Sequence, residues 1–568
     1  MFALRCLSFS IMSMAAISAA RAELTLSNLF SNEMVLQCEM PVDIWGQASP
    51  NTEVRVTLGE QSLPTTSDAE GNWRVTLEPL TASFDPLDLI IVSAAERKVF
   101  RRVVVGEVWL GVGGPNLHLY NRAKSQIVHE MQSRLIALGH VRVHRPFDSP
   151  RPDTPRLTGW TRPTSHEQAN FSDSMYLFGL KVARERETPV GVVMLSHEEM
   201  PTVHWLPPGS SRHPEVVSQF EEYRESFPVL RKRWAAQFRN WELQRESYLE
   251  RGERNPSLAP PPPPEPTFPT ETGSHWKARI EPLIPYACRG VIWDQGDSGT
   301  GAPGVDQFTL VSAILREWRS RLDRKLFALI IQKPVGGSCP ATTPTRKPLF
   351  ESSNSLYLLA SRPRRFQQEL PLVNTGNGLL DQHYLLFEKL PDVSLVPTRD
   401  LDVGGRVVDR EKLAQRMLVT AYNSVYKNER LILPQYKSHE VNGEKVTVTF
   451  AGTRAGLSIW YTQEVQGFEV CGEDRRWQWA EGEIVGRDTV VVSARNVKKP
   501  VAVRYGWSYD RGWSNLFNSL KIPVQSFSTA SWNVPLLQRE LPSWQSVRLG
   551  QVEYREQYWS RYLGPEDQ

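Results

Sequence analysis

Cysteine is scarce in this chain, with 5 in 568 residues. That count excludes a disulfide-dense scaffold held together by covalent staples. Cys6 lies near the N-terminus, and Cys38, Cys288, Cys339 and Cys471 are far apart and irregularly spaced, so no metal motif is present and neither a metal nor another cofactor is expected. The four can be oxidised if the chain is exported, in any of three full pairings, or they can be ordinary buried thiols. A dominant sign of charge is also lacking. Lys and Arg number 66 against 63 Asp and Glu, which gives no electrostatic reason to expect a nucleic-acid partner. No segment beyond the N-terminus is apolar enough to cross a membrane, so no integral membrane protein is expected.

What is present begins at the N-terminus. Arg5 precedes an apolar stretch from Leu7 to Ala20, and Ala20-Arg21-Ala22 has the small-x-small form of a signal-peptidase site. The alternative is a buried first helix. Strand-like alternation starts right after Ala22, so a signal peptide over residues 1–22 and a secreted or periplasmic mature chain are expected. Length alone favours roughly three domains. Val54, Val56 and Leu58 alternate with polar residues, as do Trp73, Val75 and Leu77, with the turn-forming run Asp68-Ala69-Glu70-Gly71-Asn72 between them. Residues 23–103 therefore read as a β-sandwich.

From about residue 104 to 427 the pattern is α/β. Val103-Val104-Val105 and Val108-Trp109-Leu110 read as strands ending at Gly111-Val112-Gly113-Gly114. Ser172 is placed to cap a helix carrying Met175, Phe178 and Val182. Gly290-Val291-Ile292-Trp293 and Leu326 to Ile331 are buried-type strands, and Leu310, Ile314, Leu315 and Trp318 fall at helical spacing between them. Alternation of this kind argues for a parallel sheet covered on both faces. An insertion over about 208–275 interrupts it. Leu230, Trp234, Phe238, Trp241 and Tyr248 share one helical face there, followed by an unbroken proline run at 260–264 that reads as a stiff spacer. A last helix from Glu411 to about Tyr426 leads into strands such as Val446 to Phe450 and Val490 to Val492, a second β domain over 428–532, and a polar tail over 533–568.

Several strings now carry a resemblance: Leu29 to Gln37, Pro41 to Gly46, Val105-Gly106-Glu107-Val108-Trp109-Leu110, Pro189-Val190-Gly191 with Trp205, Pro282 to Tyr286, Gly290 to Gly296, Pro500 to Trp507, and Asn515 to Asn518. Together they resemble the sialate O-acetylesterase family over about residues 23–532. The resemblance implies an SGNH-hydrolase-like (GDSL-like) three-layer α/β domain with a helical insertion, flanked by N- and C-terminal β-sandwich domains. It also implies ester hydrolysis on a sugar, which requires a nucleophilic hydroxyl, a histidine base and oxyanion donors.

Those groups are what the chain lacks at the matching places. The family's Gly-Gln-Ser-Asn-Met reads Gly113-Gly114-Pro115-Asn116-Leu117, and proline has neither a hydroxyl nor an N–H. The Gly-Gly-Thr stretch falls on Glu198, Glu199 and Met200, where carboxylates oppose a developing oxyanion unless they face solvent. Gln-Gly-Glu-Ser-Asn becomes Gln295-Gly296-Asp297-Ser298-Gly299. The family's Asp and His fall near Gly404 and Arg406, and arginine stays protonated and cannot act as a base. No catalytic residue is assigned. Gly114, Pro115, Asn116, Glu198, Glu199, Gln295, Gly296, Asp297 and Arg406 are expected to form a degenerate pocket.

Three readings follow. One is a pseudoenzyme kept for binding a glycan, an acetylated sugar or a protein, with Trp477, Trp479, Trp507 and Trp513 as either stacking platforms or core. Another is an active carbohydrate acetylesterase using non-standard residues, of which Ser298, Asp297, His118 and His197 are the local candidates. The third is an assembly role for the insertion and tail.

Overall fold

The computed structural model describes residues 23–93, 96–114, 116–117, 140–144, 159–162, 172–196, 201–210, 214–250, 272–294, 305, 307–332, 389–398, 401–403, 406–407, 409–427, 433–460, 464–506 and 514–530. The N-terminal strands are β1 (Thr25–Leu26), β2 (Val35–Gln37), β3 (Val42–Gln47), β4 (Glu53–Leu58), β5 (Gln61–Thr66), β6 (Asn72–Leu77), β7 (Ser83–Ser93) and β8 (Glu96–Gly113). β1, β3 and β6 form one sheet, while β4, β5, β7 and β2 join β8 in a second. Val54, Val56 and Leu58 of β4 and Trp73, Val75 and Leu77 of β6 turn inward into one cluster, as period-two alternation requires. The turn before β6 is closed by Asp68, whose carboxylate accepts from the N–H groups of Glu70 at 3.0 Å and Asn72 at 2.7 Å.

β8 is one strand where the sequence reads as two. The apolar run is interrupted by Gly106 and Glu107, yet pairing continues through both. Val104, Val105 and Gly106 pair with β2. Beyond them, Glu107 to Gly111 pair with β11 (Val190–Met194). A glycine is required at 106, because a Cβ there would lie 2.0 Å from the Pro189 carbonyl oxygen. Glu107 is fully buried, and its carboxylate accepts from Arg289 Nε at 2.8 Å and Nη2 at 3.0 Å, with Arg186 Nε 3.5 Å away.

The large sheet runs β10-β9-β11-β8-β12-β13-β14, with β9 (Val141–His144), β10 (Trp160–Thr161), β12 (Gly290–Asp294), β13 (Phe327–Ile331) and β14 (Val393–Val396). Every pairing along it is parallel except that of the edge strand β10. Four helices matter here: α1 (Asp173–Arg186), α2 (Pro214–Glu250), α3 (Gln307–Leu322) and α4 (Arg410–Ser424). Ser172 caps α1 by accepting from Met175 N, and Asp409 caps α4 by accepting from Lys412 N at 3.0 Å.

Alternation along the central strand sorts the layers. Val108, Leu110 and Val112 face Leu310, Ile314 and Trp318 of α3. Trp109 faces the other way, into a cluster with Met175 and Phe178 of α1 and Leu413 and Met417 of α4. The result is a helix–sheet–helix sandwich. β15 (Asp402–Val403) and β16 (Arg406–Val407) form a small hairpin ahead of α4.

The C-terminal region has strands β17 (Gln435–Asn442), β18 (Lys445–Ala451), β19 (Leu457–Ile459), β20 (Val465–Cys471), β21 (Trp477–Ile484), β22 (Thr489–Ser493), β23 (Ala502–Tyr505), β24 (Leu516–Asn518) and β25 (Phe527–Ser528). Seven form one antiparallel sheet, and β19 and β24 pair separately. Val446, Val448, Phe450, Phe468, Val490 and Val492 make its own core. Trp477 is 1 % exposed with the Arg504 guanidinium 4.2 Å from its ring, so packing is its role. Trp479 is half-buried, and Trp507 and Trp513 lie outside the described residues. Among the described residues no helix is long and apolar enough to cross a membrane.

Candidate functional site

The chain runs from β8 outward to β9, returns through α1 to β11 on one flank of β8, and then enters β12 on the other flank. The carboxyl end of β8 is therefore the point where the winding reverses, the place where open parallel sheets bind their ligands. Gly113 ends β8 at φ +99°, and a Cβ there would sit 2.0 Å from the Asp294 carbonyl oxygen. Only glycine permits that approach. The Gly114 N–H then donates to the same carbonyl.

Asn116 is fully buried and held at two atoms by the Asp294 carboxylate. Its backbone N–H donates to Oδ2 at 2.8 Å, and its side-chain Nδ2 to Oδ1 at 3.3 Å. Asp294 is itself fully buried at the end of β12. From the first turn of α4, Arg410 Nη1 donates to the Asn116 carbonyl at 2.8 Å and reaches Ser174 Oγ at 3.4 Å. Just past the end of β11, Ser196 Oγ donates to the Leu117 carbonyl at 2.8 Å. Three strand ends and the start of α4 are thus tied around the stretch that follows β8. A hydrolytic site needs N–H donors aimed at a developing oxyanion. Here the Asn116 N–H groups already donate to the Asp294 carboxylate, which competes for the same donors an oxyanion would need.

Of the residues expected from sequence, Gly114 and Asn116 stand at this edge. Pro115, Glu198, Glu199, Gln295, Gly296 and Asp297 lie outside the described residues, as do His118, His197 and Ser298. The strands leading to them do converge, since β11 and β12 flank β8 in parallel. Arg406 lies on β16, four residues before Arg410, and only its backbone is described. Asp294, Ser196, Ser174 and Arg410 were not anticipated. The available signal was an aspartate closing the otherwise apolar strand Gly290-Val291-Ile292-Trp293, a place where a carboxylate needs donors.

Two described histidines bear on acid–base chemistry. His144 ends β9, stacked on Trp160 at 5.3 Å and 1 % exposed. Burial pushes its ring down to about 4, opposed by the Gly159 backbone, so it is neutral at ordinary pH. His204 lies on a short 3-10 helix (Thr202–Trp205), and its Nδ1 is 3.0 Å from Ser274 Oγ on an exposed surface.

Among the described residues, one group has the ligand types and spacing for a metal ion: Cys38, Glu39 and Glu107. It sits at the amino end of the sheet, opposite the site. Its carboxylates already pair with Arg289, at 2.8 Å to each, and burial together with Glu107 pushes the Cys38 thiol up to about 12. A protonated thiol beside guanidinium groups is a poor metal ligand. Cys38, Cys288 and Cys471 are all buried and free, so the thiol alternative holds for these three, and Cys339 lies outside the described residues.

The polar cluster thus sits at the winding reversal of a parallel α/β sheet, with antiparallel β-structure before and after it in the chain. The comparisons agree with the resemblance read from the sequence. The chain is similar to the sialate O-acetylesterase of Homo sapiens, at 23% identity over 323 residues, covering 52% of this chain and 53% of the human protein. It is similar to the Mus musculus sialate O-acetylesterase at 24% over 318 residues, covering 52% and 55%. The chain thus spans about half the length of the curated relatives it matches. Among solved structures, a carbohydrate acetylesterase from Xanthomonas citri has the same fold, with a TM-score of 0.63 at 22% identity over 90% of this chain and 100% of that one. No family model matches the chain.

Proposed function

We propose that this chain is an exported sialate O-acetylesterase-like protein whose hydrolytic site is closed, retained to bind a carbohydrate or a protein. The Asp294–Asn116 clamp carries this reading. It puts a buried carboxylate where an esterase gathers donors, next to a position occupied by Pro115. Either feature alone disfavours an oxyanion, and a missing triad member typically removes several orders of magnitude in rate. The names of the similar proteins support a sugar as the class of ligand. Export rests on the Ala20-Arg21-Ala22 site, and N-terminal sequencing of the mature protein from its native host should begin at Glu23.

The test is turnover of an aryl acetate and of O-acetylated sialosides by the purified chain, with Pro115→Ser alongside. Both proteins should stay at background, because the variant restores a hydroxyl but neither a base nor open donors. A glycan-array signal from the wild type would then identify the ligand class. Turnover that follows the wild-type protein through purification would overturn the closed site.

A second reading is favoured by one observation, the Ser274–His204 contact at 3.0 Å, which has the spacing of a nucleophile and its base. On that reading turnover is present, survives Pro115→Ser, and is abolished by Ser274→Ala or His204→Ala. Without such loss, the pair is a surface hydrogen bond.

A further inference from the structure

Arginines gather where the N-terminal sandwich meets the outer strands of the large sheet. Glu33 is buried there and serves three of them. Arg102 of β8 reaches Oε1 with Nη2. Arg162, just past β10, donates from Nε to Oε2 at 2.9 Å. Arg142 of β9 brings Nη2 to 3.6 Å from the same oxygen. A second carboxylate, Asp88, is exposed and accepts from the Arg102 backbone N–H at 3.4 Å. Even with both counted, three guanidinium groups meet two carboxylates, and positive charge is in excess.

Strand register makes the excess costly. Thr161 pairs with Val143, so the next positions of these antiparallel strands set Arg162 opposite Arg142. Like charges directly opposite across strands repel. Burial pushes the Arg142 guanidinium down to about 10, with Glu33 opposing the fall and Arg162 and Arg102 adding to it. The donors are also incompletely used. Arg142 is 2 % exposed, and its Nη1 donates to the carbonyls of Met34, at 3.2 Å, and of Arg102. Its buried Nε has no hydrogen-bond partner among the described residues, and a charged donor left so is expensive. That Nε shares an edge of the guanidinium with Nη2, the atom nearest Glu33. Arg162 uses Nε alone and Arg102 uses Nη2 alone on Glu33, so their remaining N–H groups are open to solvent. Glu33 and Arg102 hold φ at +66° and +58°, a region that residues with side chains seldom adopt and that recurs at ligand clamps.

We propose that this junction binds a sulfate- or phosphate-type oxyanion, held by Arg102 and Arg162 with Arg142 as the buried charge behind them. A tetrahedral oxyanion presents oxygens in several directions, which suits donors arriving from three strands, and guanidinium forks match such oxygens in pairs. Its charge offsets the repulsion that one shared carboxylate leaves. The junction is apart from the Asp294–Asn116 clamp: Arg142 pairs with Gly191 and Gly191 with Val108, whereas the clamp follows Gly113. The inference therefore does not depend on the fate of the esterase site.

The test is isothermal titration of the full chain with sodium sulfate, against sodium chloride at matched ionic strength. Sulfate should bind at one site. Arg102→Gln and Arg162→Gln should each weaken it about tenfold, the size of one charge-assisted hydrogen bond. Glu33→Gln removes the competing carboxylate and should tighten it several-fold, the opposite of what loss of a purely structural ion pair does. A sulfated trisaccharide that binds about tenfold tighter than inorganic sulfate, with its unsulfated form inert, assigns the oxyanion to a glycan, and equal affinity assigns it to a free ion. Sulfate heats no larger than those of chloride overturn the proposal, and so does sulfate binding that both arginine variants leave unchanged. If Glu33→Gln does not fold, the two arginine variants, altered at partly exposed side chains, decide alone.

Discussion

At the scale of single residues, the informative positions are polar groups placed where water does not reach. His144 is one, and its depressed titration has a definite sign. The ring titrates at about 4 in the folded chain against an ordinary value of 6.5. Below the ordinary value the unfolded chain takes up a proton that the folded chain refuses, so its contribution to stability is present above about pH 6.5 and is lost as pH falls toward about 4. Chemical denaturation at about pH 7 and about pH 5 should show a loss of about 2 kcal/mol attributable to this ring. His144→Phe keeps the stack on Trp160 and should remove that part of the pH dependence. An unchanged slope would mean that the ring is already free to protonate. Gly113 is the complementary case, where the backbone rather than a side chain is constrained. Its φ of +99° and the 2.0 Å approach to Asp294 make Gly113→Ala doubly unfavourable. A loss on the order of 3 kcal/mol is expected in urea melts.

At the scale of elements, β8 decides how the molecule is built, and it was only half legible. Its apolar halves announce themselves by composition. Glu107 between them reads as a break, because a carboxylate inside a strand costs several kcal/mol unless it is paired. The partners that settle the matter are not local: Arg289 lies 182 residues further along the chain. The same logic explains the site. Periodicity and motif order placed the ends of β8 and β12 at one edge, and Gly114 and Asn116 with them. The clamp on Asn116 was not legible, because Asp294 reads as a polar residue leaving a strand, and its partner is 178 residues away. Helices fared better: the Ser172 cap and the helical spacing of Leu230, Trp234, Phe238 and Trp241 in α2 are signals read within a few turns. The Glu107 hub also yields a prediction. Glu107→Ala leaves Arg289 and Arg186 beside each other at the buried end of the sheet, and thermal denaturation should show a loss of about 3–5 kcal/mol. Glu107→Gln with Arg289→Met, which removes charge from both sides, should recover part of it. A loss no larger than that of an exposed pair would mean that water reaches the hub.

At the scale of the whole molecule, the division into domains follows from which strands find their partners inside a segment. A boundary near residue 103 matches the change in composition but cuts β8. The pairing partners of β2 are Val104, Val105 and Gly106, on the far side of that boundary, and Tyr286 Oη donates to the Val35 carbonyl at 2.6 Å. Across the same junction Glu33 is paired with Arg102, with Arg162 at 2.9 Å and with Arg142 at 3.6 Å. The N-terminal sandwich and the α/β layer also share a single apolar cluster, from Leu24 and Val54 to Trp293 and Ile330. The C-terminal domain differs. Among the described residues its strands pair with one another and its core from Val446 to Phe527 is its own, while its ties to the α/β layer include Gln525 Nε2 to the Leu395 carbonyl at 2.9 Å and the small cluster of Val419, Leu433 and Ile522. A domain folds alone when its core and ladders are complete within it. A fragment of residues 433–530 should therefore melt cooperatively in circular dichroism, and a fragment of residues 23–103 should not, since β2 has lost its ladder and β8 its central half. Extending the second fragment to residue 332 restores both and should restore a cooperative transition. A sharp melt from residues 23–103 alone would show that the sandwich closes without the strand it shares with the α/β layer.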